Sequence, residues 1–143
     1  MAEKQNAIPV IPLEPAEPIP NAVSTVNTVL ERVARLKPNM IDDRDAARWI
    51  MDLNDRLIRE LHMPLCTERP RKWPEDGGIP LVATGPYDEL YVFYAVAMIE
   101  FYQREYGNYN NSMIQFNDRC ADFRRAYRRG HSYRPQRTYE GVF

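Results

Sequence analysis

The sequence predicts an all-α fold: a four-helix domain with a long Pro/Gly-rich loop between helices 2 and 3 and extended N- and C-terminal arms. Three observations carry that expectation. Apolar residues recur at steps of three and four in separate stretches, Pro and Gly gather between the second and third of these, and the one extended candidate is the short run IPLVAT between Gly78 and Gly85. With 143 residues, 44% hydrophobic and 27% charged, the chain has the composition of a single globular domain.

The first arm covers residues 1–23. Pro9, Pro12, Pro15 and Pro18 recur every third residue, the period of a polyproline II helix, and would line one edge of a stiff strip without internal hydrogen bonds. Such a strip packs no core of its own, so its expected contact is another chain.

The helical domain is expected over residues 24–130. Ser24 is an N-cap candidate for a first helix carrying Val26, Val29, Leu30, Val33 and Leu36 on one face, closed by Lys37-Pro38. Asp42 offers a second N-cap. Ala46, Ile50, Leu53, Leu57 and Leu61 then mark one face beside Trp49, and Pro64 bars further helix. The segment CTERPRKWPEDGGIPLVATGP reads as a structured loop with room for a small hairpin.

The third helix is expected from near Pro86 to about Tyr106, stopping at Gly107, with Asp88 and Glu89 at its positive end. Its centre, LYVFYAVAMIEFY, holds one charge, Glu100, and is apolar on every side. The run is shorter than the ~20 residues that span a bilayer, so protein must cover it. The fourth helix, NNSMIQFNDRCADFRRAYRRG, places Met113, Phe116, Cys120, Phe123 and Tyr127 on one seam, with Arg125 and Arg129 on the other side. Residues 131–143 lose periodicity and form the second arm.

The chemistry of catalysis is missing from this order of residues. There is no nucleophile beside a base, no carboxylate pair, no phosphate loop, and His62, His131, Cys66 and Cys120 match no metal-ligand spacing. The expectation is therefore a protein that is not an enzyme and takes neither cofactor nor metal. A formal net charge of -1 argues against global attraction to nucleic acid. The C-terminal part is nonetheless basic. Arg124, Arg125, Arg128, Arg129, Arg134 and Arg137, interleaved with Tyr133, Tyr139 and Phe143, suit a docking surface, because guanidinium forks pair with carboxylates and stack on rings.

Three phrases in series, VLERVARLKPN, RDAARWIMDLNDRLIREL and PYDELYVFYAVAMIEFYQREYGNYNNSMIQFNDRCADFRRAYRR, resemble the small helical head-tail connector proteins of tailed bacteriophages. The likeness runs from Val29 to Arg129 and is densest at Pro86–Tyr91 and at Tyr109–Met113 with Phe116-Asn117. It implies a structural virion protein, made in the host cytoplasm and placed in the neck between capsid and tail. There it would form a dodecameric ring beneath the portal that continues the channel for packaged double-stranded DNA and carries the stopper or tail protein. It implies no membrane partner. On this reading Tyr87, Tyr91, Tyr94, Met98 and Tyr102 face the neighbouring subunit. The arginines and aromatics from Arg124 to Phe143 face the portal. Pro9, Pro12, Pro15 and Pro18 form an arm contact outside the family pattern. The alternative is a DNA-binding or regulatory helical module working through the Arg-rich fourth helix, for which a helix-turn-helix would be expected.

Overall fold

The computed structural model describes residues 23–131. These form four helices, α1 (Val26–Leu36), α2 (Asp43–Glu60), α3 (Glu89–Tyr102) and α4 (Tyr106–His131), with no sheet among the described residues. The all-α expectation is met.

α1 opens one residue later than the Ser24 cap that the sequence suggests. Thr25 is the N-cap: its Oγ1 accepts the Thr28 amide at 3.2 Å, and Thr28 Oγ1 accepts the Thr25 amide at 3.0 Å, a reciprocal capping box. Ser24 is buried, and its carbonyl accepts the Leu81 amide at 2.8 Å. Its backbone is committed to the loop, which leaves its neighbour to start the helix. Val26, Val29 and Val33 are buried as expected, whereas Leu36 is 65% exposed. α2 is capped by Asp42, whose Oδ1 accepts the Arg44 amide at 2.9 Å. Its predicted face is buried throughout, and Trp49 packs at the core's edge.

Two helix ends close by a device the sequence conceals. After α2, His62 takes the left-handed conformation at φ 53°, its amide reaches Arg59 O at 3.2 Å, and the Met63 amide reaches Ile58 O at 3.0 Å. After α3, Arg104 does the same at φ 63°, with its amide on Phe101 O at 3.0 Å and the Glu105 amide on Glu100 O at 2.8 Å. Both are Schellman motifs, in which glycine is the usual left-handed residue. The expectation that α3 runs to Tyr106 and stops at Gly107 is therefore corrected. α3 ends at Tyr102, and Gly107 lies in the first turn of α4.

α3 is the central element, packed by the other three helices. Leu90, Tyr91, Val92, Ala95, Ala97 and Ile99 are buried within the chain, which explains most of its all-round apolar character. Phe116, Cys120 and Phe123 of α4 close one side of it, with Met113 and Tyr127 against the core edge. The predicted α4 seam is correct.

The 61–88 segment runs back from the end of α2 as far as its first turn, where Trp73 O accepts Arg44 Nη1 at 3.1 Å, and buries Pro70, Leu81 and Ala83. It contains no hairpin. Instead Pro80 makes a single antiparallel bridge to Thr25, and the Val82 amide donates to Asn54 Oδ1 at 3.0 Å. Trp73 Nε1 donates to Asn27 Oδ1 at 3.0 Å, close over Gly77. A Cβ on Gly77 would lie 2.5 Å from that same Oδ1, so a side chain here would displace Asn27 from its bond with Trp73.

Candidate functional site

α4 frames the candidate surfaces. At 1.5 Å per residue, Tyr106 at its start and Arg128 near its end stand about 33 Å apart along the axis. The two ends carry different chemistry.

At the C-terminal end the predicted docking arginines divide. Arg124 donates through Nε and Nη2 to Glu60 Oε1 at 3.3 and 3.0 Å, tying α4 to α2, and Arg125 is paired with Asp122 one turn back. Arg124 is thus a staple within the chain. Arg128 and Arg129 are exposed with no ion pair among the described residues. They remain available for an anionic partner. Tyr133, Arg134, Arg137, Tyr139 and Phe143 lie outside the described residues, as do Pro9, Pro12, Pro15 and Pro18.

The five residues expected to face a neighbouring subunit do not share one exposed stripe. Tyr91 is fully buried, its phenol held by Asn54 and the Ala83 amide, so it offers a second chain no surface. A buried tyrosine needs a hydrogen-bond partner, and Asn54 supplies it inside the chain. Tyr94 and Met98 line a cleft of about 430 Å³ between α2 and α4, with Tyr94 tilted on Phe116 and under the guanidinium of Arg56. Tyr87 packs on Phe123 near the far end of the bundle. Only Tyr102 is largely exposed, at 58%, stacked on Trp49 with ring centroids 5.6 Å apart.

Tyr102 belongs to an aromatic patch that the sequence reading did not single out. Phe101 stands edge-on to Tyr102 and Tyr106 and leans on Tyr109, with Phe101, Tyr102 and Tyr106 all exposed. Leu36 and the almost fully exposed Met40 lie at the same end, because Lys37 ties the α1–α2 connection to the α3–α4 turn. The signal was present in the apolar run, which continues to the last residue of α3 and past the cover that its own chain provides.

That tie is ionic. Lys37 Nζ donates to Glu105 Oε1 at 2.6 Å and stands 3.7 Å from Glu100 Oε2. The hydrogen bond to Glu105 raises the ammonium above its ordinary pKa, and the same bond, helped by Asn108, holds the Glu105 carboxyl below the usual range. Buried Glu100 also accepts Ser112 Oγ at 2.6 Å. The lone charge of the apolar run Leu90–Tyr102 is thus satisfied between α1 and α4.

A third feature is a groove of about 540 Å³ between the 61–88 segment and the C-terminal half of α4. Its wall includes Met63, Pro80, Val82, Tyr87, Phe123 and Tyr127. Ring centroids of Tyr87 and Phe123 are 6.1 Å apart, those of Phe123 and Tyr127 6.3 Å, and His131 stacks on Tyr127 at 3.9 Å. The result is a continuous aromatic row.

Among the described residues no group of three or more His, Cys, Asp or Glu could hold a metal ion, and no helix is long and apolar enough to cross a membrane. Both thiols are free, Cys66 exposed and Cys120 buried. No family model, no curated protein and no solved structure matches the chain. What fold and surfaces together define is a small helical protein with two dissimilar ends and an aromatic groove.

Proposed function

We propose that this chain is a structural assembly protein, a head-tail connector of a tailed bacteriophage that forms a ring beneath the portal in the virion neck. The observation that carries the reading is the polarity of the surface. One end of the bundle presents Phe101, Tyr102 and Tyr106, apolar area that a lone chain would hide. The other presents Arg128 and Arg129, about 33 Å away. A subunit stacked between two unlike partners needs two unlike faces. The resemblance of Val29–Arg129 to connector proteins supplies the partners: portal on the arginine side, other copies and the stopper or tail protein elsewhere. Packaged DNA would pass through the ring.

The aromatic end suits contact between copies, since ring-to-ring packing supplies large area at low entropic cost. Tyr102→Asp places a charge there without entering the core. The variant should fold like wild type, within about 1 kcal/mol, and fail to enter rings or particles. Incorporation at the wild-type level would remove that end from the interface.

The portal contact is tested by deleting residues 131–143 and by Arg128→Glu with Arg129→Glu. Both variants are expected to fold and to lose binding to portal-bearing heads, measured as co-sedimentation. Native mass of the full chain with and without portal protein, and a DNA shift assay at two salt concentrations, separate this reading from the DNA-binding alternative. A monomer indifferent to portal, with DNA affinity falling steeply as salt rises, would replace the connector reading with the regulatory one.

A further inference from the structure

We propose that the aromatic groove between the 61–88 segment and α4 is the seat of the chain's own proline-rich segment, Pro9 to Pro18. The inference does not depend on ring formation or on any portal.

The first ground is the shape and chemistry of the groove. Half-buried Tyr87 and Tyr127 each pack on Phe123, whose buried ring closes the groove from the core side, and Pro80, Val82 and Met63 complete the wall. Aromatic-lined grooves of this kind receive polyproline II segments, because proline rings pack between aromatic ridges while the exposed backbone carbonyls accept hydrogen bonds from the rim. Here Tyr87 and Tyr127 are half-buried, and neither phenol has a hydrogen-bond partner among the described residues. Each can donate to such a carbonyl.

The second ground is the ligand-like period of the segment. Four prolines spaced by three residues present one edge, with about 9 Å between successive rings in a polyproline II helix. Glu14 and Glu17 repeat at the same step on a neighbouring edge.

Third, the chain leaves the described fold at the groove itself. The Leu81 amide donates to Ser24 O, and Thr25 bridges Pro80 in antiparallel register. The chain therefore leaves the described residues beside Pro80 and Leu81, both of which line the groove. From Val23 back to Pro18 is five residues, at most about 17 Å of extended chain. A segment tethered that close has an effective concentration in the millimolar range, which favours it over a second copy or a free peptide.

The test is disulfide capture in the full chain carrying Cys66→Ser. Pro15→Cys combined with Ala126→Cys, a groove residue, is compared with Pro15→Cys combined with Ile114→Cys, an exposed α4 position outside the groove. Mild oxidation should form the Ala126 cross-link within one chain at least about tenfold faster than the Ile114 one, because seating adds local concentration beyond what the tether gives both pairs. Replacing Pro9, Pro12 and Pro18 by Ser should abolish the preference, since the tether remains but the repeating edge is gone. Equal rates, a preference that survives loss of the prolines, or a cross-link between chains would each overturn the proposal. A second readout avoids substitution in the helical domain: amide chemical shifts of Val82, Thr84 and Tyr127 should differ between wild type and the variant with Pro9, Pro12, Pro15 and Pro18 all changed to Ser. Identical shifts would also overturn it.

Discussion

Tyr91 and Asn54 join three elements through one oxygen. The phenol of Tyr91, on α3, donates to Asn54 Oδ1, on α2, at 2.8 Å and accepts the Ala83 amide at 3.0 Å, while the same Asn54 Oδ1 accepts the Val82 amide at 3.0 Å. Both side chains are fully buried. Burial pushes the Tyr91 hydroxyl well above its ordinary pKa, so it stays a donor at neutral pH. The loop is fixed to the bundle by this link.

Tyr91→Phe removes the phenol and leaves the buried Ala83 amide without a partner. The expected cost is about 1–3 kcal/mol, the penalty for an orphaned buried donor. Urea denaturation measures it. A loss under about 0.5 kcal/mol would mean the loop is anchored mainly by Leu81 and the Ser24 carbonyl.

Arg104→Gly should stabilise the protein by about 1 kcal/mol, because a left-handed residue with a Cβ costs that much where glycine costs little. Gly107→Ala tests the same assignment from the other side. Gly107 has no positive φ and open space around its missing Cβ, so alanine should also stabilise, by up to about 1 kcal/mol. Destabilisation on thermal melting would place the helix end at Gly107 after all.

The Lys37–Glu105 pair predicts the pH dependence of the end that carries the aromatic patch. Glu105, with its pKa lowered in the fold, contributes stability that is present above the unfolded carboxyl value of about 4.3 and lost as pH falls through the lower folded value. Lys37, with its pKa raised, contributes stability that is full below about 10.4 and lost as pH rises through the higher folded value. Glu105→Gln should therefore destabilise between these limits and shrink the difference from wild type at both extremes. A constant difference across pH, read from denaturation midpoints, would dissolve the pair.

The two thiols should differ sharply in reactivity. Burial pushes the Cys120 thiol up to about 11, while Cys66 lies exposed on the loop. Alkylation of the native protein at pH 8, followed by peptide mass analysis, should label Cys66 and spare Cys120 until the chain is denatured. Comparable labelling of both would show that α4 opens readily from α3.

Much of the fold was legible because it rests on periodicity. The Ala46–Leu61 face of α2 and the Phe116–Cys120–Phe123 seam of α4 follow from 3.6-residue spacing, and Asp42 from its side-chain oxygen and position. Such signals are local, so one sequence suffices to carry them. The basic end of α4 was equally plain, though not which arginines were already paired.

Only the tertiary structure decided the rest. Which carbonyl takes the Leu81 amide moved the first cap from Ser24 to Thr25, and two residues without glycine's freedom, His62 and Arg104, closed helices because the bonds after them outweigh their backbone cost. Tyr91 and Tyr102 read alike in the sequence, both aromatic on one helix with a polar tip. One met Asn54, thirty-seven positions away, and became core; the other outran its cover and stayed at the surface. Periodicity says that a side chain lies on a face, but whether the face is buried depends on what distant segment arrives there, and that is fixed by the packing of the whole chain.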